Sequence, residues 1–137
     1  MDLDSNKYQE LINNIEIQNV KLKDLSVRSS YNNESQKNIE ISAKHEVISF
    51  KRDGDLLLVQ TRFEIEGFSE SQCVFSIGFI LELVYYLENR FTFEEQYIDL
   101  FTKNNVPVNA WPYARELVSS ITLRMGLSAL ILPVLRV

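Results

Sequence analysis

Three groups of residues in this chain of 137 could do chemistry: the single histidine, His45, the single cysteine, Cys73, and the acids Glu94, Glu95 and Asp99 of "FEEQYID". A nucleophilic pair would need His45 beside Cys73 or a serine, because a thiol or hydroxyl stays weak until a base takes its proton. His45 falls in an alternating strand pattern, where a lone histidine is more simply a surface or interface residue. Cys73 falls in an apolar alternation, and a buried free cysteine behaves as a small hydrophobe. The three acids read more readily as a solvated helix face than as a general acid–base pair. No His, Cys and Asp spacing suits zinc, and no glycine-rich loop could cradle a phosphate. The expectation is a protein that is not an enzyme, with no cofactor and no metal.

Composition narrows the classes further. Hydrophobic residues make up 45% and charged residues 24%, which is ordinary for a folded domain. A single domain over residues 1–137 could bury roughly two-thirds of its unfolded surface. The net charge of −5 and a pI near 4.9 exclude a nucleic-acid surface, which needs a basic patch to displace counterions. One cysteine allows no internal disulfide and fits a reducing compartment. The stretch "MDLDSNKYQE" lacks the apolar core of a secretory signal, and the greasy run Val74 to Leu87 is broken by Glu82 and too short to span a bilayer. A cytoplasmic protein with no direct membrane insertion is expected.

The elements that must position any site follow from periodicity. Ser5 to Asn13 reads as a short helix capped by Ser5, with Tyr8, Leu11, Ile12 and Ile15 on one stripe. From Ile15 the period becomes two, but the phase slips between Ile17 and Val20 and again before Leu25. Such slips predict bulges in a strand. "SSYNNESQKN" reads as a loop. A second strand runs from Asn38 to Lys51, "RDGD" makes a tight hairpin through Gly54, and the third strand faces Leu57, Val59, Thr61, Phe63 and Ile65 one way. Gln60, Arg62, Glu64 and Glu66 make its polar face.

After "GFSES", the fourth strand, Gln72 to Leu87, is apolar on both faces. An antiparallel sheet commonly leaves one face solvated, so this strand calls for a second cover. A neighbouring subunit would supply it, which places Cys73, Phe75 and Ile77 at a subunit contact. Thr92 to Asn104 reads as a short helix or crossover segment, with Phe93, Tyr97, Leu100 and Phe101 on its apolar side. "VNAWPYARELVSSI" opens a longer helix, with Asn109 as cap and Pro112 in the first turn, where a missing N–H costs nothing. Its stripe is Ala114, Leu117, Val118, Ile121 and Met125, and Gly126 ends it. "LSALILPVLRV" closes the chain as an apolar, extended segment. The class is α+β.

Aromatics crowd the second half: Phe68, Phe75, Phe79, Tyr85, Tyr86, Phe91, Phe93, Tyr97, Phe101, Trp111 and Tyr113. Each is simply core on the plainest reading, yet a domain this small cannot easily hide them all. A surplus at the surface would form an apolar patch for self-association or for an extended polypeptide.

"NAWPYARELVSSI" resembles the helix start of the SecB family of protein-export chaperones, where an asparagine and a Phe-Pro-Tyr-Ala-Arg-Glu run open the long helix. "KDLSV", at Lys23 to Val27, resembles the Lys-Asp-Ile-Ser element of that family's first strand. "LSALILPVLRV" resembles the Leu-Asn-Leu-Ala-Pro-Val-Asn-Phe segment after its long helix, and the order of elements agrees from Ile15 to Val137. The resemblance implies a four-stranded antiparallel sheet with helices packed on one side, assembled as a homotetramer, a dimer of dimers. It implies ATP-independent binding of unfolded polypeptide in apolar grooves, where burial at about 25 cal/mol per Å² makes few demands on sequence. The residues expected to bind clients are Phe79, Tyr85, Tyr86, Phe91, Phe93, Tyr97, Phe101 and Trp111. Ser119 and Thr122, on the polar back of the long helix, join Cys73, Phe75 and Ile77 at subunit contacts.

The sequence departs from the family where the translocase motor docks. Asp24 matches one acid of the first strand, but Arg28 stands where a second is expected. Gln72 and Val74 replace the Leu and Glu that flank the family's cysteine. A reversed charge and a lost carboxylate weaken capture of a basic partner. The family's C-terminal helix and acidic tail have no counterpart up to Val137, and the Ser5 to Asn13 helix is a candidate to stand in for that helix. The resemblance therefore implies a chaperone for export, or alternatively a SecB-like chaperone dedicated to the antitoxin of a toxin–antitoxin pair. An oligomeric scaffold that buries its aromatics in fixed interfaces is the reading from a different class.

Overall fold

A computed structural model describes residues 3–31, 38–127 and 132. Its elements are α1 (Ser5–Asn14), β1 (Glu16–Ser29), β2 (Glu40–Asp53), β3 (Leu56–Ser69), β4 (Gln72–Tyr86), α2 (Glu95–Asn104) and α3 (Val106–Arg124). The strands form one sheet in the order β1-β4-β3-β2, and every neighbouring pair is antiparallel.

The β2–β3 hairpin forms where the Gly54 turn predicts it. Gly54 has φ +59, a conformation that only glycine adopts cheaply, and Asp53 pairs with Leu56 across the turn. On β3, Leu57, Val59, Thr61, Phe63 and Ile65 are all buried. They lie opposite Tyr85, Leu83, Leu81, Phe79 and Ile77 of β4, and directly paired residues share a face of the sheet. The helices cover this face: α3 packs on β3 and β4, α2 on α3 and β2, and α1 on α2. The cover expected from a neighbour thus comes largely from the chain itself. On the opposite face of β4, Ser76, Gly78, Ile80 and Glu82 are only half-buried.

β1 carries register shifts at Ile17/Asn19 and Leu22/Asp24, the two places where the apolar phase slips. Each bulge inserts one residue and so resets which side chain faces the core. As a result Ile17, Val20, Leu22, Leu25 and Val27 all lie opposite core residues of β4, from Tyr85 through to Ile77. A further shift, at Val47/Ser49 in β2, has no clear signature in the sequence.

All three helix starts differ from the expectation; α2 begins at Glu95, and Thr92 to Glu94 belong to the crossover before it. α1 is capped by Asp4, whose carboxylate accepts from the Asn6 N–H at 2.9 Å. α3 begins at Val106, with Pro107 in its first turn and Pro112 inside the helix. Two prolines five positions apart compete for the helix start, and burial of Val106, Ala110 and Trp111 on one stripe favours the earlier one. Pro112 lies on the exposed side, where water can satisfy the carbonyl that its missing N–H leaves free. Gly126 follows the helix end with φ +88, as the sequence predicts. Most of "LSALILPVLRV" and of the loop after β1 lies outside the described residues.

Candidate functional site

The residues that could do chemistry are not brought together. His45 pairs with Phe63 and Cys73 with Phe68, five residues apart along β3 and so roughly 17 Å along the strand. The His45 ring rests 5.9 Å from the rings of both Phe63 and Trp111. The Cys73 thiol is exposed, not an apolar filler, and donates to the Phe75 carbonyl at 3.3 Å. Glu94 faces Lys7 at 3.7 Å and Asp99 faces Lys103 at 2.9 Å, in exposed pairs. Among the described residues no group of three His, Cys, Asp or Glu side chains could hold a metal.

Five of the eight aromatics expected at the client surface belong to the core. Phe79 stacks on Phe63 with ring centres 5.0 Å apart. Tyr85 meets Phe101 edge-on, also at 5.0 Å, and Tyr97 and Trp111 are buried among them. Burial pushes the Tyr85 hydroxyl up to about 12, while the hydrogen bond from Asn109 lowers it somewhat. Tyr86, Phe91 and Phe93 remain half-buried and able to touch a ligand. Phe91 and Phe93 sit on the crossover between β4 and α2, where they line a groove of about 500 Å³ with Lys7, Glu10 and Tyr97.

A second groove, of about 570 Å³, runs between β2 and the helices. Val47, Phe50 and Pro107 give it apolar surface, and Glu46, Glu95 and Asp99 give it acidic groups. β2 is an edge strand, so its outer backbone groups are open to pairing.

The subunit-contact expectation needs correction. Phe75 and Ile77 point into the chain's own core, and Thr122 is buried with its hydroxyl donating to the Val118 carbonyl at 2.8 Å. Cys73 is exposed and Ser119 half-buried. The uncovered apolar surface lies instead on β1, the other edge strand. Ile17, Leu22, Leu25 and Val27 are 38%, 47%, 42% and 43% exposed. They lie on the helix side of the sheet, continuous with the core. Their alternation is present in the sequence, but β4 is the more apolar strand and so is the one for which the pattern predicts a contact.

At the motor-docking equivalents, Asp24 and Arg28 are exposed and lie opposite Ile80 and Ser76, on the helix-free face. Gln72 is exposed too. Val74 is not: it is 1% exposed, at the register shift between β3 and β4, and presents no side chain to a partner.

This four-stranded antiparallel sheet with helices on one face is the fold of a SecB-like chaperone. The chain matches the solved structure of the SecB-like chaperone Rv1957 of Mycobacterium tuberculosis, in complex with a ChAD peptide from the Rv1956 HigA1 antitoxin, with a TM-score of 0.84. The likeness covers 95% of this chain and 97% of that one at 16% identity, which establishes the fold. A protein of unknown function from Streptococcus agalactiae matches at a TM-score of 0.45 and 9% identity, covering 87% and 96% of the two chains, too distant to add to it. No protein-family model and no curated protein matches the sequence.

Proposed function

We propose that this protein is an ATP-independent chaperone, not an enzyme, that holds an extended apolar segment of a non-native polypeptide. The observation that carries this reading is apolar surface left open beside a complete core, on a SecB-like sheet. Phe91 and Phe93 stand half-open at the crossover, in the groove they share with Lys7, Glu10 and Tyr97. Contiguous exposed apolar surface on a small domain marks a binding surface. Solvent-facing apolar grooves recognise side-chain character with little demand on sequence, so a carboxymethylated, permanently unfolded protein is a usable test client. Stoichiometric suppression of its aggregation is the expected result. No binding and no suppression would favour the scaffold reading.

Dedication to one client, such as an antitoxin, is the finer proposal, and it is preferred to general export. Arg28 in place of an acid and the buried Val74 in place of a carboxylate support it, because both weaken capture of a basic motor. The neighbouring fold in complex with an antitoxin peptide points the same way. The expected outcome is no measurable binding to a translocase motor at physiological salt. Tight binding would restore the export reading.

Assembly into a homo-oligomer, as a dimer of dimers, is part of the proposal. The exposed row on β1 supports it: burying Leu22, Leu25 and Val27 against a second copy would remove apolar surface that the monomer leaves in water. A cytoplasmic location is proposed from the single cysteine, which fits a reducing compartment. Among the described residues, no helix is long and apolar enough to cross a membrane.

A further inference from the structure

The geometry points to Arg52 as the positioning residue of the crossover groove, a role that rests on the chaperone reading above. Among the described residues its guanidinium pairs with no carboxylate. Nη2 donates to the carbonyls of Leu87 and Glu88 at 2.7 and 3.0 Å, Nη1 to the carbonyl of Phe91 at 3.2 Å, and Nε to the carbonyl of Gly54 at 3.2 Å. Three of these four acceptors belong to the segment that leaves β4 for α2, and the fourth belongs to the hairpin turn beside Arg52.

Asp55, on the far side of the same turn, completes the grip. Its backbone carbonyl accepts from the Leu87 N–H at 2.8 Å, and its carboxylate accepts from the Asn89 N–H at 2.6 Å. The tip of the β2–β3 hairpin therefore holds the crossover by five hydrogen bonds to its backbone. The pairs within the segment do not tie it to the fold. Arg90 meets the Glu88 carboxylate at 2.6 Å and covers the Phe91 ring at 4.6 Å, and both contacts travel with the loop.

The segment so gripped carries Phe91 and Phe93, which form one wall of the groove that Lys7, Glu10 and Tyr97 complete. A loop without regular structure has many conformations, and a client must select the one in which both rings face the groove. Apparent affinity falls in proportion to the fraction of molecules already in that state, so a clamp on the backbone raises affinity without touching the client. Only arginine suits the task, because a planar fork of donors can reach several carbonyls at once whereas an ammonium is a point donor.

The test compares wild type, Arg52→Ala, Arg52→Lys and the neighbouring Lys51→Ala for binding of fluorescein-labelled, carboxymethylated α-lactalbumin. All are measured well below their melting temperatures. Arg52→Ala is expected to lose about tenfold in affinity, as a drop of the competent state to about a tenth requires, and Lys51→Ala to lose none. Arg52→Lys keeps the charge and the stem but is expected to stay close to Arg52→Ala. Amide exchange at Leu87 and Phe91 should speed up in Arg52→Ala and slow again when client saturates it, which a purely structural role would not produce. Unchanged affinity in Arg52→Ala, or wild-type affinity in Arg52→Lys, overturns the assignment. If Arg52→Ala does not fold, Arg52→Lys alone decides by the same criterion. A wild type that binds no client overturns the chaperone reading as well, and so separates the two failures.

Discussion

The side-chain amide of Asn109 donates to the phenolic oxygen of Tyr85 at 2.8 Å, joining the interior of α3 to the end of β4 beneath the packed rings of Tyr85 and Phe101. Asn109→Leu removes the donor and leaves a buried hydroxyl unpaired, at a cost of about 1–3 kcal/mol. Urea unfolding should show a lower midpoint with an unchanged slope.

The same tyrosine sets an alkaline limit. Its folded value is raised to about 12 from 10, so its contribution is complete below pH 10 and is lost as pH rises from 10 towards 12. The size is about 1 kcal/mol between pH 9 and pH 11, and two to three at the limit. The loss of stability over that range should be smaller in Tyr85→Phe than in wild type. Equal losses would place the alkaline transition elsewhere.

Gly67 and Phe75 are coupled by contact. The two face each other across β3 and β4, and a Cβ at Gly67 would clash with the Cδ1–Cε1–Cζ edge of the Phe75 ring. Phe75 is buried at 2% exposure, so its ring can give way only by displacing other core side chains. Gly67→Ala should cost about 1–3 kcal/mol through overpacking. In a double-mutant cycle with Phe75→Leu, the alanine should cost less than it does alone, as read from melting midpoints. A purely additive pair would show that the close approach carries no energy.

The turn between β3 and β4 is built from Glu70 and Ser71, with φ of +50 and +68. Two positive angles in a two-residue hairpin suit Asn-Gly far better than Glu-Ser. Replacing the pair, Glu70→Asn with Ser71→Gly, should stabilise the protein by about 1 kcal/mol. A shift of the denaturant midpoint upwards is the check.

Assembly should respond at β1 and not at β4. Leu25 is exposed in the monomer yet lies opposite Phe79 on the core side of the sheet. Leu25→Asp leaves the monomer's own packing nearly intact and puts a carboxylate into the proposed contact, where an unpaired charge costs several kcal/mol. Light scattering should show the oligomer falling to a smaller species while circular dichroism is unchanged. Phe75→Asp, by contrast, should unfold the chain because that ring is core. An unchanged mass in Leu25→Asp would remove β1 from the interface.

Local pattern was enough for several parts of this protein. The alternation of β3 states which face is buried, because side chains in a strand alternate whatever lies above them. The double slip in β1 reports its bulges for the same reason, and Gly54 and Gly126 mark their turns because few other residues take positive φ. What local pattern cannot sense is which apolar face finds a cover, since that depends on elements far away in the chain. β4 looks two-sided in sequence, but α2 and α3 fold back over one side of it, so Phe75, Phe79, Tyr85 and Trp111 become core and the open apolar row passes to β1. Likewise Pro107 and Pro112 obey the same local rule, and burial of Val106, Ala110 and Trp111 against the sheet decides between them. That choice draws Asn109 into the helix and towards Tyr85. Arg52 shows the limit most plainly: three carbonyls from a segment more than thirty residues away give its role, and backbone carbonyls leave no signature in sequence.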